Sequence, residues 1–427
     1  MLYLSARAKS LLLVSFLVLL GPASIIAGPA QNGLLDLRGA DLNKGRVSLT
    51  GQWYFYENQL LAPREVAAAL KSFDEFPKIW NDGRKSGTGY GYATYRLYVL
   101  PPGDIKTLAL ELPQIYSSYA LWINNKLVAG NGTVGTSEEE TVPQWMPQTV
   151  SFENPGDTLQ LVLQIANFHH YKGGIKDPIY LGSAELLQRH RSMAVASNLI
   201  ESVVLGLIAI GFLITYLFRN QKKVVLYFAL LCLTWALRVG FSNLYVFISL
   251  MPDFNWYAMI RIEYCTLFLT MIWAILFLSR VFPKEQRQIL KYLLVVSNIF
   301  FIAFTLLASP VSFTKWIPVY LIFCALLLLY GVVLVLRAWI NERAGATYLT
   351  ISILLGLLVF GYDVFAYEGF FAYNPIIFSA GYVSIFSLMG VVLLVHLDII
   401  KSKGKSISKL TYKDLYKEQV PSAKVLK

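Results

Sequence analysis

Between residues 197 and 397 the chain runs through seven apolar segments, near 197–218, 224–247, 257–280, 290–309, 315–337, 347–367 and 375–397. Each holds roughly twenty mostly apolar residues, the length that a ~30 Å hydrocarbon core demands at ~1.5 Å per helical residue. The stretches 292–314, 316–336 and 369–397 contain no Asp, Glu, Lys or Arg at all. Seven membrane spans in so short a stretch leave only brief connections. No catalytic domain fits between them.

The residues before this region are of another kind. Residues 28–196 hold 31 charged side chains in 169 positions, whereas 197–397 hold 19 in 201. The whole chain is 56% hydrophobic and 15% charged, against about 45–50% and about 25% in soluble domains. A wholly soluble or disordered chain is excluded, and a soluble domain followed by a membrane domain is predicted. The net charge of +11 does not point to nucleic acid. Residues 28–196 carry 15 basic and 16 acidic groups, and the surplus sits in loops between spans and in a tail with eight lysines. Lysine beside membrane spans reports orientation and contact with anionic lipid headgroups. The three cysteines, Cys232, Cys265 and Cys324, all lie in the apolar half, so the soluble part has no disulfide framework.

Residues 1–27 read as a signal peptide: Arg7 and Lys9 precede the apolar run Leu11 to Leu20, and small residues follow around Ala27 and Ala30. Alternate loops carry Arg219, Lys222 and Lys223, then Arg280, Lys284, Arg287 and Lys291, then Arg337 and Arg343. The other loops have almost nothing basic except Lys315. The positive-inside rule then puts the soluble domain on the periplasmic side of a bacterial inner membrane and the tail, 398–427, in the cytoplasm.

The soluble domain, 31–190, is expected to be an all-β sandwich. Short alternating or aromatic runs recur at Gln52 to Tyr56, Ala93 to Leu100, Leu108 to Leu112, Ala120 to Ile123, Leu159 to Ile165 and Ile179 to Leu181. Turn residues such as Pro101-Pro102-Gly103 and Pro155-Gly156-Asp157 separate them. One helical interruption is expected over Pro63 to Phe73. The segments Gly-Tyr-Ala-Thr-Tyr-Arg at 91–96, Ser-Ser-Tyr-Ala-Leu-Trp-Ile-Asn-Asn-Lys at 117–126 and Asn-Phe-His-His at 167–170, with Gly173-Gly174 and Leu181-Gly182, resemble a galactose-binding-type jelly roll. With seven spans after it, the chain resembles the bacterial seven-transmembrane receptors with diverse intracellular signalling modules over roughly residues 45–400. That resemblance implies a periplasmic domain that senses carbohydrate or another small ligand and spans that pass the signal to a cytoplasmic output enzyme. The chain departs from the pattern at the last step, because the thirty residues after Leu397 are too few for such an enzyme. Relay to a separate cytoplasmic signalling protein is therefore expected. A membrane-anchored carbohydrate-binding or assembly protein, or a transporter, is the alternative.

Sugars bind where aromatic rings meet their apolar faces and polar neighbours catch their hydroxyls. Tyr116, Trp145, Asn167, His169, His170 and Lys172 are the candidate ligand-binding residues on that basis, although rings such as Trp53 read as core. The four histidines, His169, His170, His190 and His396, have no helical ligand spacing and no cysteine cluster beside them, so no metal, cofactor or catalytic residue is expected. In the membrane, Arg238 lies fourteen residues into the second span, roughly 21 Å from its cytoplasmic end. Asp363 lies sixteen residues into the sixth, roughly 24 Å from the same side. Arg261 and Glu263 enter the third span from outside, with Glu201 of the first span close to that level. An ionic cluster of Arg238, Arg261, Glu263 and Asp363 is expected, since a charge at mid-membrane costs about 2.5–3.5 kcal/mol on insertion scales unless paired or hydrated.

Overall fold

A computed structural model describes residues 28–397 apart from 67–68, 70–71, 84–86, 220, 252 and 368–373. The signal peptide and the lysine-rich tail expected from the sequence lie outside the described residues.

The first half is a mainly antiparallel sandwich of jelly-roll type, as expected; among the described residues eleven of its thirteen strands form two sheets and the remaining two pair with each other. These are β1 (Leu34–Asp36), β2 (Val47–Ser48), β3 (Gly51–Glu57), β4 (Phe73–Phe76), β5 (Gly91–Leu100), β6 (Thr107–Leu112) and β7 (Ile115–Tyr116), followed by β8 (Ser118–Ile123), β9 (Lys126–Asn131), β10 (Gln148–Glu153), β11 (Leu159–Asn167), β12 (Gly174–Ile175) and β13 (Tyr180–Ser183). The larger sheet runs β4-β3-β5-β11-β8-β9 with β1 added in parallel to β5, and the smaller runs β10-β6-β13-β2. All six strand runs read from the sequence lie in these strands to within a residue. They are the strands that supply the core, and β5, β6 and β11 are buried along continuous runs. β5 and β11 pair Val99 with Leu159, Leu97 with Leu161, Tyr95 with Leu163 and Ala93 with Ile165. All eight are buried against Leu108, Leu110 and Leu112 of the second sheet.

The helix expected over Pro63 to Phe73 is corrected by the structure. Its described residues form a turn at Pro63–Val66, where the Glu65 and Val66 amides both donate to the Ala62 carbonyl, and Phe73 opens β4 instead. Phe73 to Phe76 pairs along Gly51 to Tyr54 of β3. Pairing of an edge strand outweighs local helix propensity here.

The second half has seven long helices among the described residues: α1 (Ala184–Phe218), α2 (Lys223–Phe241), α3 (Trp256–Val281), α4 (Gln288–Leu307), α5 (Ile317–Ile340), α6 (Ala346–Tyr367) and α7 (Pro375–His396). Six are long and apolar enough to cross a membrane, and α6, with 22 residues, is apolar along Ala346–Val359. Ser183 caps α1 by accepting from the Leu186 amide at 3.4 Å, Asn255 caps α3 from Ala258 at 3.1 Å, and Asn374 caps α7 ahead of Pro375. Ile200, Val203, Leu207, Ile210, Ile214 and Leu217 form an exposed stripe down α1 at helical spacing. Such a stripe is a liability in water and a seat in lipid. Phe228, Phe277, Val335 and Leu393, from four different helices, meet in the bundle core. At the end carrying the basic loops, Arg343 Nε donates to Glu285 Oε1 at 2.6 Å and His396 Nε2 lies 3.0 Å from the Val281 carbonyl.

Replacing Leu163, fully buried in the central strand β11, by Ala should cost about 2–5 kcal/mol. Denaturant unfolding of the full chain, followed by near-UV dichroism of the sandwich aromatics, measures it; a loss below about 1 kcal/mol would mean that the core lies elsewhere.

Candidate functional site

The two halves meet through a seam of aromatic and polar side chains. Trp145, in the loop before β10, stands edge-on to Tyr116 of β7 at 5.6 Å and to Trp256 of α3 at 5.3 Å between centroids, with Tyr245 at 6.0 Å. Tyr116 in turn stacks on His170 at 4.8 Å. Hydrogen bonds cross the same seam. His169 Nε2 lies 2.8 Å from the Thr141 carbonyl, and its Nδ1 lies 3.0 Å from the Tyr257 hydroxyl of α3. The Tyr171 amide donates to Thr314 Oγ1 of the short helix Pro310–Lys315 at 3.2 Å. Tyr245 is held at φ +50°, a region that bulky side chains rarely enter. Its hydroxyl lies 3.3 Å from Gln114 Oε1 and 3.1 Å from Glu263 Oε2.

The candidate ligand residues are therefore gathered at one place, and most of them are occupied with structure. Asn167 is 0% exposed, and its Nδ2 lies within 3.0 Å of three carbonyls, those of Gly89, His170 and Lys172. Its Oδ1 accepts from the His170 amide at 3.2 Å. It staples the loop that carries His169, His170 and Lys172 to the end of β11. Trp145 at 1% and His170 at 3% exposure face the seam and not solvent. Tyr116 and Lys172 are half-buried. Burial holds the His170 imidazole neutral, with its pKa brought down to about 4.

Beside this seam lies a cleft of about 820 Å³, within the range of small-molecule sites. Its outer wall belongs to the sandwich and the first turns of α1. There Glu111 of β6 pairs with Arg46 and, at 3.5 Å, with His190, while the Arg46 guanidinium sits 3.9 Å over the Tyr180 ring. Burial alone would raise the Glu111 carboxyl, but His190 and Arg46 outweigh it and hold its pKa at about 2. The inner wall is made by α1, α2, α3 and α7, with Asn198, Glu201, Trp235, Arg238, Glu263, Ser379 and Tyr382. Arg238 Nη1 donates to the Glu263 carbonyl at 2.8 Å, and Trp235 Nε1 donates to Glu201 Oε1 at 3.2 Å.

Of the residues expected to form an ionic cluster in the membrane, Arg238 meets the backbone carbonyl of Glu263 and not its carboxylate, and Glu201 lines the same cleft wall. Arg261 does not. It turns to the Tyr257 and Ala308 carbonyls at 3.0 and 3.1 Å and lies 5.9 Å over the Phe313 ring. Two residues from Glu263 on a helix, it points to another face. The Asp363 side chain lies outside the described residues. The sequence reading did not single out Glu111, Arg46 or Gln114. Glu111 is the single charged residue of β6 and β13 has none, so the strand pattern carries no sign of which outward-facing residue meets a helix.

A β-sandwich carried on seven apolar helices, with a shared cleft between them, is the architecture of a multi-pass membrane protein. Residues 198–397 match the family described as 7TM diverse intracellular signalling. The sandwich is similar to part of a GH2 β-galacturonidase from Eisenbergiella tayi bound to galacturonate, at 14% identity and a TM-score of 0.25, over 32% of this chain and 24% of that one. It is similar in the same way to the β-glucuronidases of Ruminococcus gnavus and Faecalibacterium prausnitzii, both at 15% identity and a TM-score of 0.25, over 32% of this chain and 28% and 31% of those. The chain thus spans less than a third of each. No curated protein matches.

The two buried titrating groups predict the acid limb of stability. In the folded state His170 stays neutral down to about pH 4, whereas in the unfolded chain it takes up a proton below 6.5. Stability is therefore lost as pH falls from 6.5 towards 4, by on the order of 3 kcal/mol. The Glu111 contribution is present above 4.5 and is lost between 4.5 and about 2. His170→Phe should flatten the first step and leave the second. Unfolding free energies measured from pH 7 to pH 3 check this; a first step of unchanged size in the variant would remove His170 as its source.

Proposed function

We propose that the protein is a signal-relay receptor: a periplasmic sandwich senses a small polar ligand, of which a saccharide is one candidate, and passes its state through seven helices to a separate cytoplasmic signalling protein. The observation that carries this reading is the continuity of β13 into α1. Ser183 is at once the last residue of β13, hydrogen-bonded in the sheet beside β6, and the cap of a 35-residue helix. At ~1.5 Å per residue that helix is about 52 Å long, against a ~30 Å hydrocarbon core. Its first turns therefore belong to the outer domain and the remainder to the membrane, and no flexible linker intervenes. A displacement of the smaller sheet is a displacement of α1.

The orientation proposed is sandwich outside and basic loops inside, in a bacterial inner membrane. The connections that touch the sandwich, around 242–256 and 308–315, are the ones poor in Lys and Arg, which supports it. Contact of the basic loops and tail with anionic lipid follows from the same orientation. Nucleic acid has no part in it.

Two measurements test the reading. A reporter active only in the periplasm should work when fused near residue 190 and fail at 221, 285 and 342; activity at 285 would reverse the topology. For the relay, spin labels at the cytoplasmic ends of α1 and α5, at Arg219 and Arg337, report helix positions in the full chain in lipid nanodiscs. Glu111→Ala, which breaks the link of the sandwich to Arg46 and to His190 on α1, should shift that distance distribution. An unchanged distribution in a folded variant would show that the sandwich and bundle do not communicate along α1.

A further inference from the structure

We propose that the inner wall of the cleft is a binding site for a primary ammonium group, carried either by a small soluble amine or by an amine-bearing lipid headgroup. Glu201 of α1 is 2% exposed and lines the cleft. The donors that meet its carboxylate are neutral: the Trp235 indole N–H at 3.2 Å, and the Ser379 hydroxyl. Among the described residues no Lys, Arg or His forms an ion pair with it. A buried carboxylate without a cation is costly, and its four lone-pair directions are not filled by two neutral donors.

A second acceptor stands beside it. Asn198, three residues earlier and so on the same face of α1, also lines the cleft, and its Oδ1 is buried with no hydrogen-bond partner among the described residues. The nearest guanidinium on this wall, Arg238, is turned to the Glu263 carbonyl at 2.8 Å. What the wall lacks is a group with several N–H donors, no acceptor and a positive charge. An ammonium is that group. The rings of Trp235, Phe378 and Tyr382 lie on the same wall, with Trp235 and Tyr382 at 4.9 Å and Phe378 and Tyr382 at 4.8 Å between centroids. Aromatic faces attract cations through their quadrupoles, more so when water is displaced. The outer wall presents Arg46, Lys176, His190 and Arg191 against Glu111 and Asp177, so an amine is steered to the inner side and any anionic remainder of the ligand to the outer.

This inference names a ligand class for the cleft and rests on the relay reading only for what binding does to α1, so binding is measured by itself. The full chain in nanodiscs of phosphatidylglycerol, which has no amine, is titrated calorimetrically with ethanolamine and, as the uncharged counterpart, with ethylene glycol. Ethanolamine should bind and ethylene glycol should not. Glu201→Gln keeps an oxygen for the Trp235 indole and removes the charge; it should weaken binding roughly ten- to a hundredfold, the range for a hydrogen bond to a charged group. Asn198→Leu, which unfolding curves can show to be folded independently, should weaken it as well, and Arg261→Gln, outside the cleft, should leave it unchanged. Phosphatidylethanolamine added to the discs separates the sources: competition assigns the site to the lipid headgroup, and its absence to a soluble amine. No ethanolamine binding, equal binding of the two probes, or unchanged binding in Glu201→Gln would overturn the proposal while leaving the spin-label test of the relay untouched.

Discussion

One residue joins the two halves of this molecule. At Ser183 a strand hydrogen-bonded on both sides, to β2 and to β6, becomes the first turn of α1 with nothing between them. A loop of even a few residues would let the sandwich rotate about its tether, and the seam would then have to hold it alone. With no such loop, the direction of α1 is set by the smaller sheet, and the direction of the sheet by the packing of α1 on α2 and α7. The cleft follows from this arrangement. Bundle and sandwich, joined at one edge, meet at the seam and part beside it, which leaves the space lined by β6, α1 and α7.

The seam combines a buried apolar cluster with directional polar contacts. Trp145, Tyr116, Tyr245 and Trp256 supply contact area, and Gln114, His169 and Tyr257 supply directional bonds. Aromatic pairs of this kind add about 0.5–1.5 kcal/mol each beyond their buried area. They are sensitive to angle, so a small rotation changes several of them together. Tyr245 concentrates this dependence. It is a bulky residue held at positive φ, and its hydroxyl meets one side chain from the sandwich and one from α3. Backbone conformations of this kind cost about 1–3 kcal/mol and persist where surrounding contacts over-determine them.

Much of this was legible in the residues, and what was not has identifiable physical causes. The spans were plain because lipid demands length and apolarity together, and strands such as β5 and β11 were plain because they are long, rich in apolar and aromatic residues, and largely buried on both faces. β1, β2, β4, β7, β9, β10 and β12 were not read. They are short or edge strands, so their pattern is set by partners distant in sequence. The cluster Tyr116, Trp145, Asn167, His169 and His170 was found by residue type, and it does gather in space, but sequence could not distinguish side chains that face a ligand from side chains that face another domain. Both places favour buried aromatics with a polar edge. Glu111, which sits on the cleft, was hidden for the complementary reason. On β6 it occupies an outward position, where a carboxylate is ordinarily solvated, and only the approach of α1 with His190 makes it part of a site.

The polar groups of the inner wall have a consequence for how such a bundle can move. Glu201, Arg238 and Glu263 lie on three helices, α1, α2 and α3, at the level of the cleft. At that depth an unsatisfied charge is more expensive than in water, so these groups hold partners in any well-populated state. At present Trp235 of α2 serves Glu201 of α1, and the Glu263 carbonyl of α3 serves Arg238 of α2. A shift of α1 along its axis would break the first bond and leave the second. The carboxylate would then have to find another donor, from a ligand or from α7, where Ser379 already stands beside it. Discrete partners of this kind turn a continuous sliding motion into a choice between a few arrangements, and a choice between arrangements is what a bundle needs if occupancy on one side of a membrane is to be read on the other.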